Sequence, residues 1–474
     1  MDNIEKYNDR LYKFNITLSD DKGKAVNLNG NAIENLTLED TILCPFIFGS
    51  IVVNNTRNTL QSSINPQDIV PDFAGNNHDL LLIDIMPDVS GNIEQDSANE
   101  QLRETFNLNL AFCINELQDK DVKVSQFTNV INFRDVYHQY LLENSVNISS
   151  AEVLEQQTPG VDISVLNNSE RCVPTGQLLK ALLKKIYNAS EDQIIDKNFD
   201  QGKTKIFWNS VGSANGLQNL LYLSKIHLSQ QYEDPCILTH DRYKRKFSFE
   251  SIASIFKKQQ TDPQNYVLET FMIDSGLPGD EKAISSNRGL GLADAAYILD
   301  YKLSPLNGNE FTSVITNTIY STTADADKNM FIGVKQNSIK TVVDKFKTLY
   351  VDSLKNYEPT AQASVDTDNF LTTDSLRPNI SRDTKPINYE KITQNHMMFN
   401  LLGICGDNII FRCLGSTHRR SGRFIDIETT AFLQDTSAVT DVLGRWFVVG
   451  VSHVFVDSKY YNVIEAVKTY RAQH

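Results

Sequence analysis

The sequence has few cysteines and few tryptophans. Its 474 residues include only two tryptophans, Trp208 and Trp446, and six cysteines, none of which forms a C-x-x-C pair. Unpaired cysteines within apolar runs are typical of buried free thiols rather than of disulfides or metal ligands. The six are Cys44, Cys113, Cys172, Cys236, Cys405 and Cys413.

Long apolar runs are also absent. No stretch of about 18 apolar residues occurs, which is the length that a membrane-spanning helix needs. The N-terminus, MDNIEKYNDRLYKF, has neither the basic nor the apolar segment of a signal peptide. These absences predict a protein without a membrane span that is made and kept in a cytosol, or released from it by lysis.

Short catalytic motifs are missing as well. The eight histidines show no HxH or HExxH spacing, and there is no GxSxG elbow and no phosphate-binding loop. Gly289-Leu-Gly291 lacks the third glycine of a dinucleotide fingerprint, so we expect a loop leading into a short helix there. Asp325-Ala326-Asp327 lacks the other positions of a calcium loop. We therefore expect no enzyme and assign no catalytic, cofactor-binding or metal-binding residue.

Positive charge is scarce. Lys and Arg number 45 against 59 Asp and Glu, a net charge of −14, which argues against a surface that grips nucleic acid. Two basic clusters stand out. One is Arg242, Lys244, Arg245 and Lys246; the other is His418, Arg419, Arg420 and Arg423. Either could face a partner or a phosphate, but on an acidic protein we expect them to balance neighbouring carboxylates.

Strand patterns fill both ends of the chain. In the first 130 residues, apolar and β-branched runs bounded by Asn, Gly, Pro and Asp predict a small barrel or sandwich. These runs are 11–19, 32–38, 42–54, 79–86, 105–114 and 121–129. Near the C-terminus, 408–412 and 422–428 are short strands, and 445–456 and 460–470 form a long hairpin.

The first strand of that hairpin alternates. Phe447, Val449, Val451, His453 and Phe455 are predicted on one face. Trp446, Val448 and Val454 are predicted on the other.

The middle of the chain is helical. TGQLLKALLKKIYN, from Thr175, repeats leucine at helical spacing, and GLQNLLYLSKIHLSQ predicts a second helix. PCILTHDRYKRKFSFESIASIF predicts a strand, a polar turn, a strand and a short helix. A strand is expected at 265–274, and the polar segment 357–385 predicts a long surface loop.

Four motifs together resemble a known family. Arg420, Gly422, Phe424, Ile425 and Ile427 match R-x-G-x-F-I-x-I, and the strand from Gly444 to His453 follows it. Phe247, Phe249, Ser251 and Ile252 match the end of the strand-turn-strand unit. Gly49, Ile51, Val53 and Asn55 match G-x-I-x-V-x-D with Asn in the last place, after an acidic helix start or turn at Leu38-Glu39-Asp40. The sequence resembles the central baseplate hub proteins of contractile-tailed bacteriophages and, more distantly, type VI secretion spike hubs.

The resemblance implies an α+β, predominantly β fold. Two small antiparallel, tail-tube-like β-barrels would carry an inserted α/β domain and a helical, loop-rich insertion. The implied division is 1–135 for the first barrel, 136–262 for the α/β domain, 263–279 with 386–474 for the second barrel, and 280–385 for the insertion.

The implied function is structural, within a contractile injection system. Three chains would form a ring that adapts the six-fold tail tube to the three-fold central spike and encloses the DNA channel. The partners would be the tube protein, the spike protein and baseplate wedge proteins, without sequence-specific nucleic acid, in a virion assembled in the host cytoplasm.

A second class of function stays open. A β-rich glycan-binding or cell-wall-degrading tail protein would also fit the composition, since a catalytic carboxylate pair forms only in three dimensions. Sugar platforms usually expose aromatic side chains, and the two tryptophans lie where we expect buried strands or strand ends.

Overall fold

The computed structural model describes twenty segments of the chain. These are 12–19, 25–28, 33–54, 79–87, 108–123, 126–160, 162–167, 170–203, 205–210, 215–232, 234–242, 245–273, 283–286, 296–302, 321–325, 328–333, 371–372, 407–429, 443–456 and 459–468. The Gly289-Leu-Gly291 run, Cys405 and all of the polar segment 357–385 except residues 371–372 lie outside them.

The N-terminal region is a unit of seven described strands. They are β1 (Tyr12–Ser19), β2 (Ala25–Leu28), β3 (Ile33–Thr41), β4 (Cys44–Asn54), β5 (Leu80–Pro87), β6 (Leu108–Lys123) and β7 (Gln126–Asp135). Their order in the sheet is β3-β4-β7-β6-β5-β1-β2, and every neighbouring pair is antiparallel. Alternate side chains point into one core, as β5 illustrates: Leu81, Ile83 and Ile85 are fully buried.

The middle region is an α/β domain. Its helices are α1 (Val136–Glu143), α2 (Ser150–Gln157), α3 (Thr175–Tyr187), α4 (Glu191–Ile194), α5 (Gly216–Ile226), α6 (Ile252–Thr261) and α7 (Pro263–Tyr266), with a 3-10 turn at Ile163–Val165. Its strands form two small sheets, β8 (Val173–Pro174) with β9 (Lys205–Ile206), and β10 (Cys236–Asp241) with β11 (Lys246–Ser251).

Helix α3 follows its sequence pattern closely. Leu178, Leu179, Leu182 and Leu183 are fully buried because they repeat at the 3.6-residue period of one helix face. The helix ends at Asn188, whose left-handed φ of 46° closes the last turn.

The remaining strands lie in the C-terminal half. They are β12 (Val267–Ile273), β13 (Ala283–Ser286), β14 (Ala296–Lys302), β15 (Ser321–Asp325), β16 (Lys328–Gly333), β17 (Leu371–Thr372), β18 (Asp407–Leu414), β19 (Phe424–Thr429), β20 (Gly444–Val456) and β21 (Lys459–Lys468). Strands β15 to β17 form a separate small sheet. The described parts of 280–385 are thus strands, and β13 and β14 pair with β12 and β18.

Seven of these strands form a second unit, which is linked in a circuit. The order is β19-β12-β13-β14-β18-β21-β20, and β19 also pairs with β20. All of its pairs are antiparallel except β12 with β19. That parallel pair corrects the expectation of purely antiparallel units. A parallel pair needs a long connection, and here more than 100 residues separate the two strands, so the sequence pattern of either strand could not reveal it.

The two units are one continuous sheet. Strand β20 pairs with β3 from Gly450↔Thr41 to Val456↔Asn35, which joins the two units into fourteen strands. Phe455 and Tyr460, at the end of the β20–β21 hairpin, belong to the core of the N-terminal unit. The C-terminal unit has its own core around Trp446, Phe271 and Phe411.

A bulge in β20 breaks the predicted alternation. The register shifts between Val448 and Gly450, so Trp446 and Val448 before the bulge share the C-terminal core with Val451 after it. Sequence alternation placed Val451 on the opposite face from Trp446. Because one extra residue reverses every later side chain, a bulge is enough to explain the difference.

Several smaller expectations also need correction. Leu38-Glu39-Asp40 lies inside β3 rather than at a helix start or turn, and residues 296–302 form β14 rather than a short helix. Asp121 belongs to the end of β6, which extends to Lys123, rather than to β7, which begins at Gln126. No pattern in the sequence predicted α1 and α2, which are only eight residues each and weakly amphipathic.

Both tryptophans are buried, as expected, with Trp208 at 5% and Trp446 at 0% exposure. The five described cysteines are free thiols, of which Cys413 is buried and the others are half-buried. In the described segments, no helix combines the length and the hydropathy that crossing a membrane requires.

Candidate functional site

The most connected polar region lies where the two β units and the α/β domain meet. It is built on residues 415–423, which we call the junction loop, between β18 and β19. Sequence reasoning marked part of this loop as the second basic cluster. The loop is almost entirely buried, so its charges face protein rather than solvent.

Arg419 binds the junction loop to the C-terminal unit. Its guanidinium pairs with both carboxylate oxygens of Glu269 on β12, with Nη2 2.9 Å from Oε2. Nη1 also donates to Oδ1 of Asn462 on β21, at 2.9 Å. Both members of the ion pair are buried, at 3% and 2% exposure, and a two-pronged pair is the geometry in which such burial is tolerated.

Asp40 of β3 connects all three parts of the protein. Its Oδ2 accepts from Nη1 of Arg242 in the α/β domain at 2.9 Å, and its Oδ1 accepts from the Ser421 hydroxyl of the junction loop at 2.9 Å. Burial alone would raise the pKa of Asp40. The nearby Arg242 charge and these two hydrogen bonds outweigh burial and lower it, so the carboxylate stays ionised.

Arg420 and Arg423 extend the same network into the α/β domain. Arg420 pairs with Asp241 at the end of β10, and Nη2 of Arg423 lies 3.9 Å from Oε1 of Glu250 on β11. The other oxygen of Glu250 accepts from Nζ of Lys258 at 2.8 Å. Burial, together with the neighbouring charge of Arg420, lowers the pKa of Arg423.

These pairs decide between the two interpretations of the basic clusters. Arg242 of the first cluster and Arg419, Arg420 and Arg423 of the second each lie beside a carboxylate, which confirms the expectation for these four residues. Arg245 occupies the β10–β11 turn with a φ of 53°, Lys246 begins β11, and Lys244 lies outside the described residues. His418 bonds through Nδ1 to the Ser416 hydroxyl, 2.6 Å away.

His453 sits at the other side of the junction, on β20. Asn462 Oδ1 accepts from the Ser416 N–H and from Arg419, so its amide NH₂ must face His453 Nδ1, 3.0 Å away. Nδ1 is then an acceptor, and the ring is neutral with its proton on Nε2. Burial is the largest cause that lowers the pKa of His453, to about 3.

A second polar cluster lies inside the α/β domain. His227, the residue after α5, approaches Asp200 Oδ1 through Nε2 at 3.1 Å and Thr175 Oγ1 through Nδ1 at 2.8 Å. The Thr-His-Asp order resembles a nucleophilic relay. Thr175 is completely buried, however, so its hydroxyl cannot reach a substrate in this conformation. Cys236 at the start of β10 completes the group.

Glycines allow this second cluster to form. Gly202 has a φ of +82°, and a Cβ there would lie 2.7 Å from both Thr175 Oγ1 and His227 Cε1. At Gly176, a Cβ would lie 2.2 Å from the Asp200 carbonyl oxygen. Sequence spacing did not find the cluster, because its members come from separate loops and element ends. The only local signal was the pair of glycines beside polar residues.

No protein-family model matches this chain, and no curated protein sequence matches it either. Among solved structures it is similar to the 43 kDa tail protein of prophage MuSo2 from Shewanella oneidensis, at 9% identity over 96% of this chain and 99% of that one, with a TM-score of 0.45. A tail protein from Neisseria meningitidis gives 7% identity, coverage of 96% and 99%, and a TM-score of 0.39.

A third similar structure is a component of the Escherichia coli type VI secretion system. It gives 8% identity over 93% of this chain and 76% of that one, with a TM-score of 0.38. The structural neighbours are therefore phage tail proteins and type VI secretion proteins, the two groups that the sequence motifs resemble. At these identities and TM-scores, the similarity does not assign a function to any residue of this chain.

Proposed function

We propose that this chain is a structural tail protein, a baseplate hub that forms a homotrimeric ring between the six-fold tail tube and the three-fold central spike. Its place is the tail baseplate of a virion assembled in the host cytoplasm. Its partners are the tube, spike and wedge proteins. The proposal keeps the division 1–135, 136–262, 263–279 with 386–474, and 280–385, but assigns β13 and β14, which pair with β12 and β18, to the second β unit. It treats each β unit as a small barrel.

The observation that supports this proposal most is the pairing of β20 with β3. Two β units from opposite ends of the chain, each with seven described strands, lie side by side in one sheet. Three such chains around an axis would place six similar units in a ring while keeping true three-fold symmetry elsewhere. That is the arrangement that a junction between six-fold and three-fold structures requires.

The junction loop supports the same proposal. An adaptor must hold its two β units at a fixed angle. The buried Arg419–Glu269 ion pair ties the loop to β12, a Ser421–Asp40 hydrogen bond ties it to the N-terminal unit, and the Arg420–Asp241 ion pair ties it to the α/β domain. A buried ion pair is broken only at high cost, which favours one rigid arrangement. The net charge of −14 suits a wall past which DNA slides without sticking.

The glycan-binding or cell-wall-degrading alternative gains nothing from the described residues. Trp208 and Trp446 are buried, so neither offers a platform for a sugar ring. Thr175, the nucleophile in the Thr175–His227–Asp200 arrangement, is buried as well.

Light scattering on the purified chain over a wide concentration range tests the proposal. We expect a mass of three 53.5 kDa chains, reached or tightened as the concentration rises, and a ring in electron micrographs of that species. A strict monomer at every concentration would overturn the self-assembling ring. A zymogram on cell-wall material distinguishes the hub from the cell-wall-degrading alternative. A hub leaves the substrate uncleared, whereas a degrading enzyme clears it.

A further inference from the structure

We propose that Asp200, His227 and Cys236 form a binding site for a divalent transition-metal ion of the Zn²⁺ class within the α/β domain. This site does not depend on the ring proposed above, since its three ligands all come from the α/β domain and it needs no second chain. Its three possible ligand atoms lie within 4.8 Å of one another.

The donor set fits such an ion. An imidazole nitrogen, a carboxylate oxygen and a thiolate sulfur are the three ligand types that Zn²⁺ accepts, at about 2.0 to 2.3 Å. Tetrahedral coordination at those bond lengths separates the ligand atoms by roughly 3.3 to 3.6 Å. The Asp200 and His227 atoms are 3.1 Å apart and the Cys236 sulfur lies within 4.8 Å of both, so the carboxylate and the thiol need only local adjustment to surround an ion.

The partners of the ligands are arranged as in metal sites. Thr175 Oγ1 holds His227 Nδ1 at 2.8 Å, which fixes the ring plane and leaves Nε2 directed at Asp200. The Asp200 carboxylate is held by the backbone N–H groups of Gly202, at 2.7 Å, and Gln230, at 3.0 Å. Ligands oriented by outer hydrogen bonds are typical of metal centres.

Protons are redistributed when the ion enters. Without metal, His227 Nε2–H donates to Asp200 and the Thr175 hydroxyl donates to Nδ1. With metal, the Nε2–H bond is replaced by an Nδ1–H bond that donates to Thr175 Oγ1, and the Thr175 hydroxyl turns its own proton away from Nδ1, which leaves the Nε2 lone pair for the ion. The S–H bond of Cys236 breaks, its proton passes to solvent, and the ion bonds to the sulfur, to Nε2 and to the Asp200 carboxylate.

The surroundings favour a cation. Burial is the largest cause that raises the pKa of the Cys236 thiol, and the neighbouring carboxylates of Asp200, Asp234 and Glu250 raise it further. A divalent ion would offset the charge of these carboxylates and the charge of the thiolate. Entry is from the Asp200 side, whose side chain keeps 17% of its surface exposed while that of His227 keeps none. A water molecule would supply the fourth ligand.

The test uses the full chain without an affinity tag, stripped with a chelator and titrated with Co²⁺, then separately with Zn²⁺. We expect one Co²⁺ per chain with a thiolate-to-cobalt charge-transfer band, and a rise in Tm on adding Zn²⁺. Cys236→Ala should lose the band and bind at least tenfold more weakly. Cys172→Ala, a half-buried thiol of the same domain, should behave as the unchanged protein.

Two results would overturn the site. The first is that the protein without substitutions shows neither a cobalt band nor a Tm that rises with Zn²⁺. Asp200 and His227 would then be only a hydrogen-bonded pair that binds no metal. The other is Cys236→Ala responding as the unchanged protein does, which would place the metal elsewhere. Circular dichroism confirms that the variant is folded, and light scattering reports the ring separately, so the two proposals can fail independently.

Discussion

Arg419 and Glu269, 150 positions apart in the sequence, form a two-pronged ion pair that is almost completely buried. The pair joins the junction loop to β12, the strand through which the chain leaves the α/β domain. Its burial makes it the clearest place to measure what the junction contributes.

Glu269→Gln should destabilise the fold strongly. It leaves the guanidinium of Arg419 buried without a counter-charge, which typically costs about 3–5 kcal/mol. The matched control is Glu152→Gln, which breaks the Lys185–Glu152 pair, whose side chains are 49% and 43% exposed. An exposed pair contributes about 0–1 kcal/mol. Urea unfolding measures both variants, and equal losses would contradict a special role for the buried pair.

Asp135 should make the protein more stable as the pH falls from 7 to 5. Asp135 is the N-cap of α1 and accepts from the Tyr137 N–H at 2.9 Å; burial raises its pKa to about 6. The folded state therefore holds a proton that the unfolded chain, with a pKa of 3.8, has lost, so this contribution declines as the pH rises from about 4 to about 6.

Asp135→Asn keeps the cap and removes the titration. We expect the variant to be more stable than the unchanged protein at pH 7, with the difference vanishing below pH 4. Denaturant unfolding at several pH values measures it. Asp162→Asn changes an exposed N-cap whose pKa is lowered by its hydrogen bonds with Ser164, so its effect on stability should vary with pH in the opposite direction and serves as the contrast. A difference that does not vary with pH would rule out Asp135 as the titrating group.

His453 should stay neutral far below the usual histidine range. Its pKa is lowered to about 3, and its Nδ1 is occupied as an acceptor. The unfolded chain takes up a proton near pH 6.5 and the folded chain does not. His453 therefore lowers the free energy of unfolding as the pH falls from 6.5 to about 3. Nitrogen chemical shifts of labelled histidine should show the Nε2–H tautomer. A folded-state titration near pH 6.5 would refute the assignment.

Gly49→Ala should cost more than Gly450→Ala. A Cβ at Gly49 would lie 2.0 Å from the Thr37 carbonyl oxygen and 2.9 Å from the Phe133 ring. At Gly450 the nearest atom would lie 3.7 Å away, an ordinary contact. We expect a loss of about 1–3 kcal/mol or more at Gly49 and about 0.5 kcal/mol or less at Gly450. Both glycines are inside strands, so an equal effect would point to backbone entropy instead.

Phe455→Ala should destabilise the N-terminal unit although the residue lies in the C-terminal hairpin. The ring stacks on Tyr460 at 4.3 Å and meets Phe14 of β1 at 4.0 Å between centroids. Its truncation leaves a cavity that typically costs about 3–5 kcal/mol. Leu82→Ala, on the exposed side of β5 at 38% exposure, is the control and should cost about 1 kcal/mol or less. If hydrogen exchange in β1 were unchanged in Phe455→Ala, the shared core would be disproved.

Much of the local structure could be predicted from the sequence. The leucine spacing from Thr175 predicted α3, and the strand-turn-strand pattern with FxFxS predicted β10, β11 and α6. Most strands near the two ends of the chain were placed to within a few residues, whereas β6 and β7 differ more from the predicted 105–114 and 121–129. These signals are readable because periods of 3.6 and 2.0 residues follow from local backbone geometry alone. The sequence likewise indicated that the basic clusters face carboxylates.

The sequence by itself indicated many of the strands near both ends of the chain, the helices α3, α5 and α6, and the burial of both tryptophans. It also indicated that basic residues of the two clusters would balance acids. Only the tertiary structure decided which acids: Glu269 for Arg419, Asp40 for Arg242 and Asp241 for Arg420. It alone decided the β3–β20 seam, the parallel β12–β19 pair and the meeting of Asp200, His227 and Cys236. The physical reason is that these contacts join segments far apart in the chain, where the partner is chosen by packing and charge and leaves no local periodicity to read.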